Sequence, residues 1–166
     1  NDPTAVSRRS ASLVDAQSQR DTHFMRKALA EAIIAFEKGE VPVGAVVVKE
    51  DSVVGQGHNL RETWGDPTAH AEIIAIRQAS QRLSAWRLTG CILYVTIEPC
   101  LMCAGALILA RIEGLVYGAT DPKAGAVRSL YRPLEDRRLN HQVVVREGVL
   151  EAECGDLMRR FFRQLR

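Results

Sequence analysis

CILYVTIEPCLMCAGALILAR, residues 91–111, is the stretch from which the fold is read. Cys91 to Ile97 is rich in β-branched and aromatic residues and has the length of a buried strand. Pro99 suits a helix start, because its missing N–H is one that an N-terminus leaves unpaired anyway. Cys100 to Arg111 then reads as a helix, buried because Ala104 to Ala110 is the longest apolar run in the chain. Working outward, the alternation continues. Phe24, Met25, Ala28, Leu29, Ala32, Ile33 and Phe36 recur at helical spacing up to a stop at Lys38-Gly39. Val43 to Val48 is strand-like, Glu50-Asp51 turns, and Ser52 to Gly57 returns as a second strand. Ala69 to Arg82 reads as a helix, Gly114 to Tyr117 and Gln142 to Arg146 as short strands, and Glu151 to Leu165 as a last helix. Ser129 to Leu139 holds a short helix or a turn. A hairpin followed by helix–strand units predicts an α/β fold, with a mixed sheet between helical layers.

At 166 residues the chain has the length of one domain with a sizeable core. Residues 1–20 show little hydrophobic periodicity and are expected to be a flexible extension, with residues 21–166 as the single domain. The sequence starts at Asn1, which fits a trimmed product. Ser7, Arg8, Arg9, Ser10 and Ser12 suit an organellar transit remnant, whereas Asp2 and Asp15 argue against one. A net charge of +2 is too small to imply a nucleic-acid partner by itself. Four cysteines give no disulfide framework, so a reducing compartment is expected: the cytoplasm, or an organelle after transit-peptide removal. No stretch is long and apolar enough to span a membrane.

Two segments carry chemistry. His70-Ala71-Glu72 and Pro99-Cys100-Leu101-Met102-Cys103 supply one imidazole, one carboxylate and two thiols. Zinc takes His nitrogen and Cys sulfur, and a catalytic site uses three protein ligands and keeps a fourth position for water. His70, Cys100 and Cys103 are the three ligands this predicts. Glu72, two residues beyond the histidine, is placed to handle protons. The pattern H-x-E with P-C-x-x-C is that of zinc-dependent base deaminases. Cys100 and Cys103 would lie one turn apart at a helix N-terminus, whose positive end favours thiolates. Thr68-Ala69-His70 has the look of a second helix start, so two N-termini should face one ion. A lone C-x-x-C could also be a redox pair or half of a structural zinc knot. A knot needs four ligands, and the spare thiols Cys91 and Cys154 read better as small buried hydrophobes. The tail from Arg159 to Arg166 mixes guanidinium groups with Phe161 and Phe162. It reads as phosphate contact with base stacking, or as an amphipathic helix burying Leu157, Met158, Phe161 and Leu165.

With these residues in place, the chain resembles the cytidine-deaminase-like superfamily, and more closely the bacterial tRNA adenosine deaminases. The likeness runs through Glu40-Val41-Pro42-Val43-Gly44-Ala45, Gly57-His58-Asn59, Asp66-Pro67-Thr68-Ala69-His70-Ala71-Glu72, Leu93 to Cys100, Leu139-Asn140-His141 and Phe161-Phe162-Arg163. It covers the chain from about Thr22 onward.

The resemblance implies a three-layer α/β/α sandwich around a five-stranded mixed sheet. It implies a homodimeric enzyme with one Zn²⁺ per subunit and no organic cofactor, converting adenosine to inosine at the wobble position of a tRNA anticodon stem-loop. By the same resemblance Asn59 would bond the flipped purine or its sugar. Asp121 would meet a ribose 2′-hydroxyl, and Phe161, Phe162 and Arg163 would hold the anticodon loop. Asn59 also reads as a turn residue, and Asp121, before Pro122, as a turn start. His58 and His141 read as structural. Around Pro122, Val127, Arg128 and residues 131–138 the likeness carries no contact over. Glu72 would pass a proton from water to purine N1 and then to the departing amine. Two other readings remain open at this point: a deaminase of free bases or nucleosides such as guanine or cytosine, and a non-catalytic RNA-binding zinc protein.

Overall fold

The computed structural model describes residues 3–165. Its elements are α1 (Pro3–Glu37), β1 (Gly44–Lys49), β2 (Ser52–His58), α2 (Arg61–Trp64), α3 (Ala71–Leu83), β3 (Cys91–Ile97), α4 (Leu101–Leu109), β4 (Gly114–Ala119), a 3₁₀ turn (Pro133–Glu135), β5 (Val144–Arg146) and α5 (Glu151–Gln164). The five strands form one mixed sheet in the order β2-β1-β3-β4-β5. β1 runs antiparallel to both β2 and β3, and β3, β4 and β5 are parallel.

The period of two along the strands divides the core between two faces. Ala45 and Val47 of β1, Leu93 and Val95 of β3, and Leu115 and Tyr117 of β4 pack under α3 and α4. Val46 and Val48, Tyr94 and Val116 turn the other way, toward Phe24, Met25 and Ala28 of α1 and Cys154 of α5. Three layers result, with the sheet in the middle. Because both faces are covered, β1 and β4 read as continuous hydrophobic runs rather than alternating ones. Full burial of Met25 contributes about 1.5–3 kcal/mol. α3 lies directly on β2, where a Cβ on Gly55 would stand 2.3 Å from the Ala75 carbonyl oxygen.

α1 ends in a Schellman turn. Gly39 takes φ +75°, the Glu40 N–H reaches the Ala35 carbonyl at 2.9 Å, and the Gly39 N–H reaches Phe36 at 3.0 Å. The hairpin between β1 and β2 turns on Glu50 and Asp51, both at positive φ, as a two-residue turn of right-handed strands requires. Asp21 pins α1 across the sheet. It accepts the Tyr94 hydroxyl at 2.8 Å and the Arg146 guanidinium at 2.7 and 3.0 Å.

The extension expected over residues 1–20 is helical where it is described. Residues 3–20 are the first half of α1; Asn1 and Asp2 lie outside the described residues. Pro3 starts the helix, and neither proline nor glycine interrupts it before Gly39. The pattern was silent because this half packs on little: Val6, Leu13 and Val14 are exposed. α2, four residues long, was not anticipated at all.

Candidate metal centre

Each donor sits at a helix start. His70 is the residue before α3 and Cys100 the residue before α4, both with extended backbone, and Cys103 lies in the first turn of α4. The expectation of two helix N-termini converging on one point is met. His70 Nδ1 lies 3.6 Å from Cys100 Sγ and 3.5 Å from Cys103 Sγ. A tetrahedral ion bonded to sulfur and nitrogen at ordinary zinc lengths sets an N···S separation of about 3.6 Å. All three donor atoms fall within 4.8 Å of one another. The donor set therefore fits a divalent ion such as zinc. The Cys103 thiol donates toward Cys100, and with His70 it holds Cys100 far below an ordinary thiol, at about 4. The same contact with Cys100, together with burial, raises Cys103. His70 is raised by its contact with Cys100.

Glu72 follows in the first turn of α3 and is only 4% exposed. Burial raises its carboxyl above the ordinary value. His70, Cys100 and Glu72 line one cavity of about 210 Å³. Asn59 and Arg61 also form its wall, as do Val43, Ile97, Asp121 and Met158.

Asn59 and Asp121 both line the cavity, and each also makes the contacts of a turn residue. Asn59 Oδ1 accepts the Arg61 N–H at 3.1 Å, and Nδ2 donates to the Val41 carbonyl at 3.4 Å, so one amide hydrogen is left over. Asp121 Oδ1 caps the N–H groups of Lys123 and Ala124, both at 3.1 Å.

The tail divides. Phe162 is exposed and lines a second cavity of about 810 Å³ with Arg159 and Leu165, which shares Asp121, Ala124 and Met158 with the first. Phe161 is corrected: it is 6% exposed and packs edge-on against Phe36 at 6.0 Å, so it offers no face to a base. Consecutive helical residues point some 100° apart, so one of the pair had to turn inward. Leu165, expected to be buried, is exposed. Arg163 is exposed and lies outside both cavities.

His58 and His141 are held structurally. His58 bridges Glu31 at 2.8 Å and Lys38 at 2.9 Å, and His141 Nε2 meets the Ile112 carbonyl at 2.6 Å. Cys91 and Cys154 are buried, as expected.

Two carboxylates that the motif reading quoted but did not assign hold the loops of the site. Glu98, 3% exposed, accepts the N–H groups of Asp121 at 3.1 Å, Val127 at 3.1 Å, Arg128 at 3.0 Å and Ser129 at 3.0 Å, and the Ser129 hydroxyl at 2.5 Å. Burial pushes it up, but these donors outweigh burial and hold it at about 2. Glu40, 1% exposed, accepts the N–H groups of Glu62 at 3.0 Å and Thr63 at 2.9 Å. Arg61 carried no sequence signal beyond its place two residues after Asn59.

A three-layer sandwich with a His–Cys–Cys donor set at paired helix starts and a buried carboxylate beside it defines the deaminase class. The comparisons agree. The model of the MafB19-like deaminases matches residues 19–166. The tRNA-specific adenosine deaminase of Bacillus subtilis is 50% identical over 147 residues, 89% of this chain and 91% of that protein. That of Aquifex aeolicus is 49% identical over 144 residues, 87% and 95% of the two chains. A solved structure from work on A-to-I editing by tRNA:A34 deaminases superposes with a TM-score of 0.79 at 47% identity, covering 82% of this chain and 99% of that one. The guanine deaminase of Nitrosomonas europaea shares the fold at 24% identity and a TM-score of 0.72, covering 84% and 83%. The chain belongs to the family of the tRNA-specific adenosine deaminases, within the MafB19-like deaminases.

Proposed function

We propose that this chain hydrolyses adenosine to inosine and ammonia at the wobble position of a tRNA anticodon, using one zinc ion held by His70, Cys100 and Cys103. The observation that carries the reading is a buried carboxylate, Glu72, in one cavity with His70 and Cys100 of a donor set of zinc geometry. Family membership supports the substrate, because the relatives that match most of this chain's length are named for it.

Zinc bound there supplies a Lewis acid and lowers the pKa of its water. Glu72 would take one proton from the attacking water and deliver it to purine N1 as the water oxygen bonds to C6. It would then move the remaining proton of that oxygen to the amino group, whose C6–N bond breaks to release ammonia and leave a carbonyl at C6. The free amide hydrogen of Asn59 bonds the purine or its sugar. Asp121 accepts a ribose 2′-hydroxyl, which distinguishes RNA from DNA. Phe162 and Arg163 take the loop beyond the target nucleotide.

The enzyme works as a homodimer, and α4 exposes Leu101, Met102 and Leu109 as apolar surface for a second copy. No helix among the described residues is long and apolar enough to cross a membrane, and the four free thiols suit the cytoplasm. The deaminase domain is residues 21–166.

The test is inosine formation from an anticodon stem-loop with adenosine at the wobble position, run beside free adenosine, guanine and cytosine. Conversion of the stem-loop alone is expected. Glu72→Ala should keep zinc and lose at least about 100-fold in turnover, whereas Cys100→Ala should lose the metal. A free base converted with no action on RNA would overturn the substrate reading, and an active Glu72 variant the proton role.

A further inference from the structure

Among the described residues, Arg61 is the one Lys or Arg that lines the metal cavity. Besides the metal donors His70 and Cys100, the other ionisable wall residues there are three acids, Glu72, Glu98 and Asp121. Glu98 is filled by five hydrogen bonds from its own loop. Arg61 has nothing comparable. Its ion pair is with the adjacent Glu62 at 3.7 Å, with both side chains at least half exposed. Such a pair contributes little.

The backbone under Arg61 is, by contrast, fixed. Its N–H donates to Asn59 Oδ1 at 3.1 Å, and the next two N–H groups of α2 are taken by buried Glu40. Leu60, 8% exposed, ties the loop back through its N–H to the Ala69 carbonyl at 3.0 Å. These contacts use up the start of α2, so its N–H groups are closed to any ligand and the side chain is what Arg61 has to offer one. A pre-set backbone lowers the entropy cost of ordering that side chain on a ligand.

A free base or nucleoside is neutral and carries no charge to pair with this cation. A nucleotide swung out of a strand brings a backbone phosphate on each side of the base it delivers. Without Arg61, the charged side chains that a phosphate approaching this wall would meet are carboxylates. With it, the guanidinium can take two phosphate oxygens in parallel.

We propose that Arg61 binds the backbone phosphate next to the nucleotide that enters the cavity, and so selects a base within a strand over the same base free in solution. This rests on the RNA reading above and names the part of the substrate that the site holds.

The test uses the zinc-loaded full chain and anticodon stem-loops carrying a single neutral methylphosphonate, placed in turn 5′ and 3′ of the wobble adenosine. The wild type should lose about tenfold in kcat/KM at one of the two positions. Arg61→Ala should lose about tenfold on unmodified RNA, lose nothing further at that position, and show a log–log salt slope of binding lower by about one. Arg61→Lys should restore the slope. An Arg61→Ala variant as sensitive as wild type to both methylphosphonates would overturn the phosphate contact and leave the tRNA reading standing. A wild type that converts no stem-loop would overturn both, and the two failures are told apart by that control.

Discussion

Replacing Glu98 by Gln should destabilise the protein by about 3 kcal/mol at neutral pH, and two routes through the structure lead there. A carboxyl held at about 2 instead of 4.5 contributes about 3 kcal/mol once it is ionised in both states. The second route counts donors. The amide oxygen of Gln can keep the N–H groups of Val127, Arg128 and Ser129. Its NH₂ then faces the Ser129 hydroxyl, which can turn to accept, and the Asp121 N–H, which cannot. One opposed buried donor costs about 1–3 kcal/mol, and the retained bonds lose their charge assistance.

The sign follows from the depressed pKa. The stabilisation is complete above the unfolded value near 4.5, and it is lost as pH falls toward about 2. Thermal unfolding of wild type and Glu98→Gln at pH 7, 5 and 3 reads it, because acid release of metal acts on both proteins and cancels in the difference. At pH 7 the variant should unfold about 6–12 °C lower. By pH 3 that gap should shrink by more than half. A gap under about 2 °C at pH 7, or one unchanged at pH 3, would refute the reasoning.

Asp21→Asn should cost roughly 2–3 kcal/mol, because it leaves the Arg146 guanidinium without its counter-charge beside Tyr94; removing residues 1–19 should leave the urea midpoint within error of wild type, and the reverse order would refute the domain boundary. Phe161→Ala should lower the unfolding midpoint by about 3 kcal/mol or more, as for a buried aromatic. Phe162→Ala should leave the midpoint nearly unchanged and weaken stem-loop binding by about 1–3 kcal/mol; equal effects of the two on both readouts would falsify the division of the tail.

The donors and the layers were legible because each is written locally. Cys100 and Cys103 stand three apart, and His70 and Glu72 two apart. The strands show themselves because burial on both faces leaves almost no polar residue in β1, β3 or β4. The first half of α1 was illegible for the opposite reason. Periodicity reports packing rather than helicity, and Val6, Leu13 and Val14 pack on little. α2 is too short to nucleate alone; it forms because Glu40, 22 residues upstream of Glu62, supplies the acceptor. The partners of Glu98 lie 23 to 31 residues downstream. Spacing rules of a few residues do not reach that far.

Those two anchors explain how the fold makes the site and which acid does the chemistry. β2 runs parallel to β3 and β4, since both β2 and β3 are antiparallel to β1. Their carboxyl ends therefore open on one side of the sheet, and the chain leaves them for Asn59, Cys100 and Asp121, where α/β sheets place their ligands. Three buried glutamates surround that end, Glu40, Glu72 and Glu98. Burial alone would raise all three. Arrays of backbone N–H groups lower Glu40 and Glu98, whose oxygen lone pairs are thereby spent on holding loops in place. Glu72 lacks such an array, burial prevails, and it alone stays raised beside the donors. A carboxyl that is to accept and return a proton must be the one its surroundings leave unfilled, and that criterion supports the proposal that Glu72 carries the proton while the other two hold the walls.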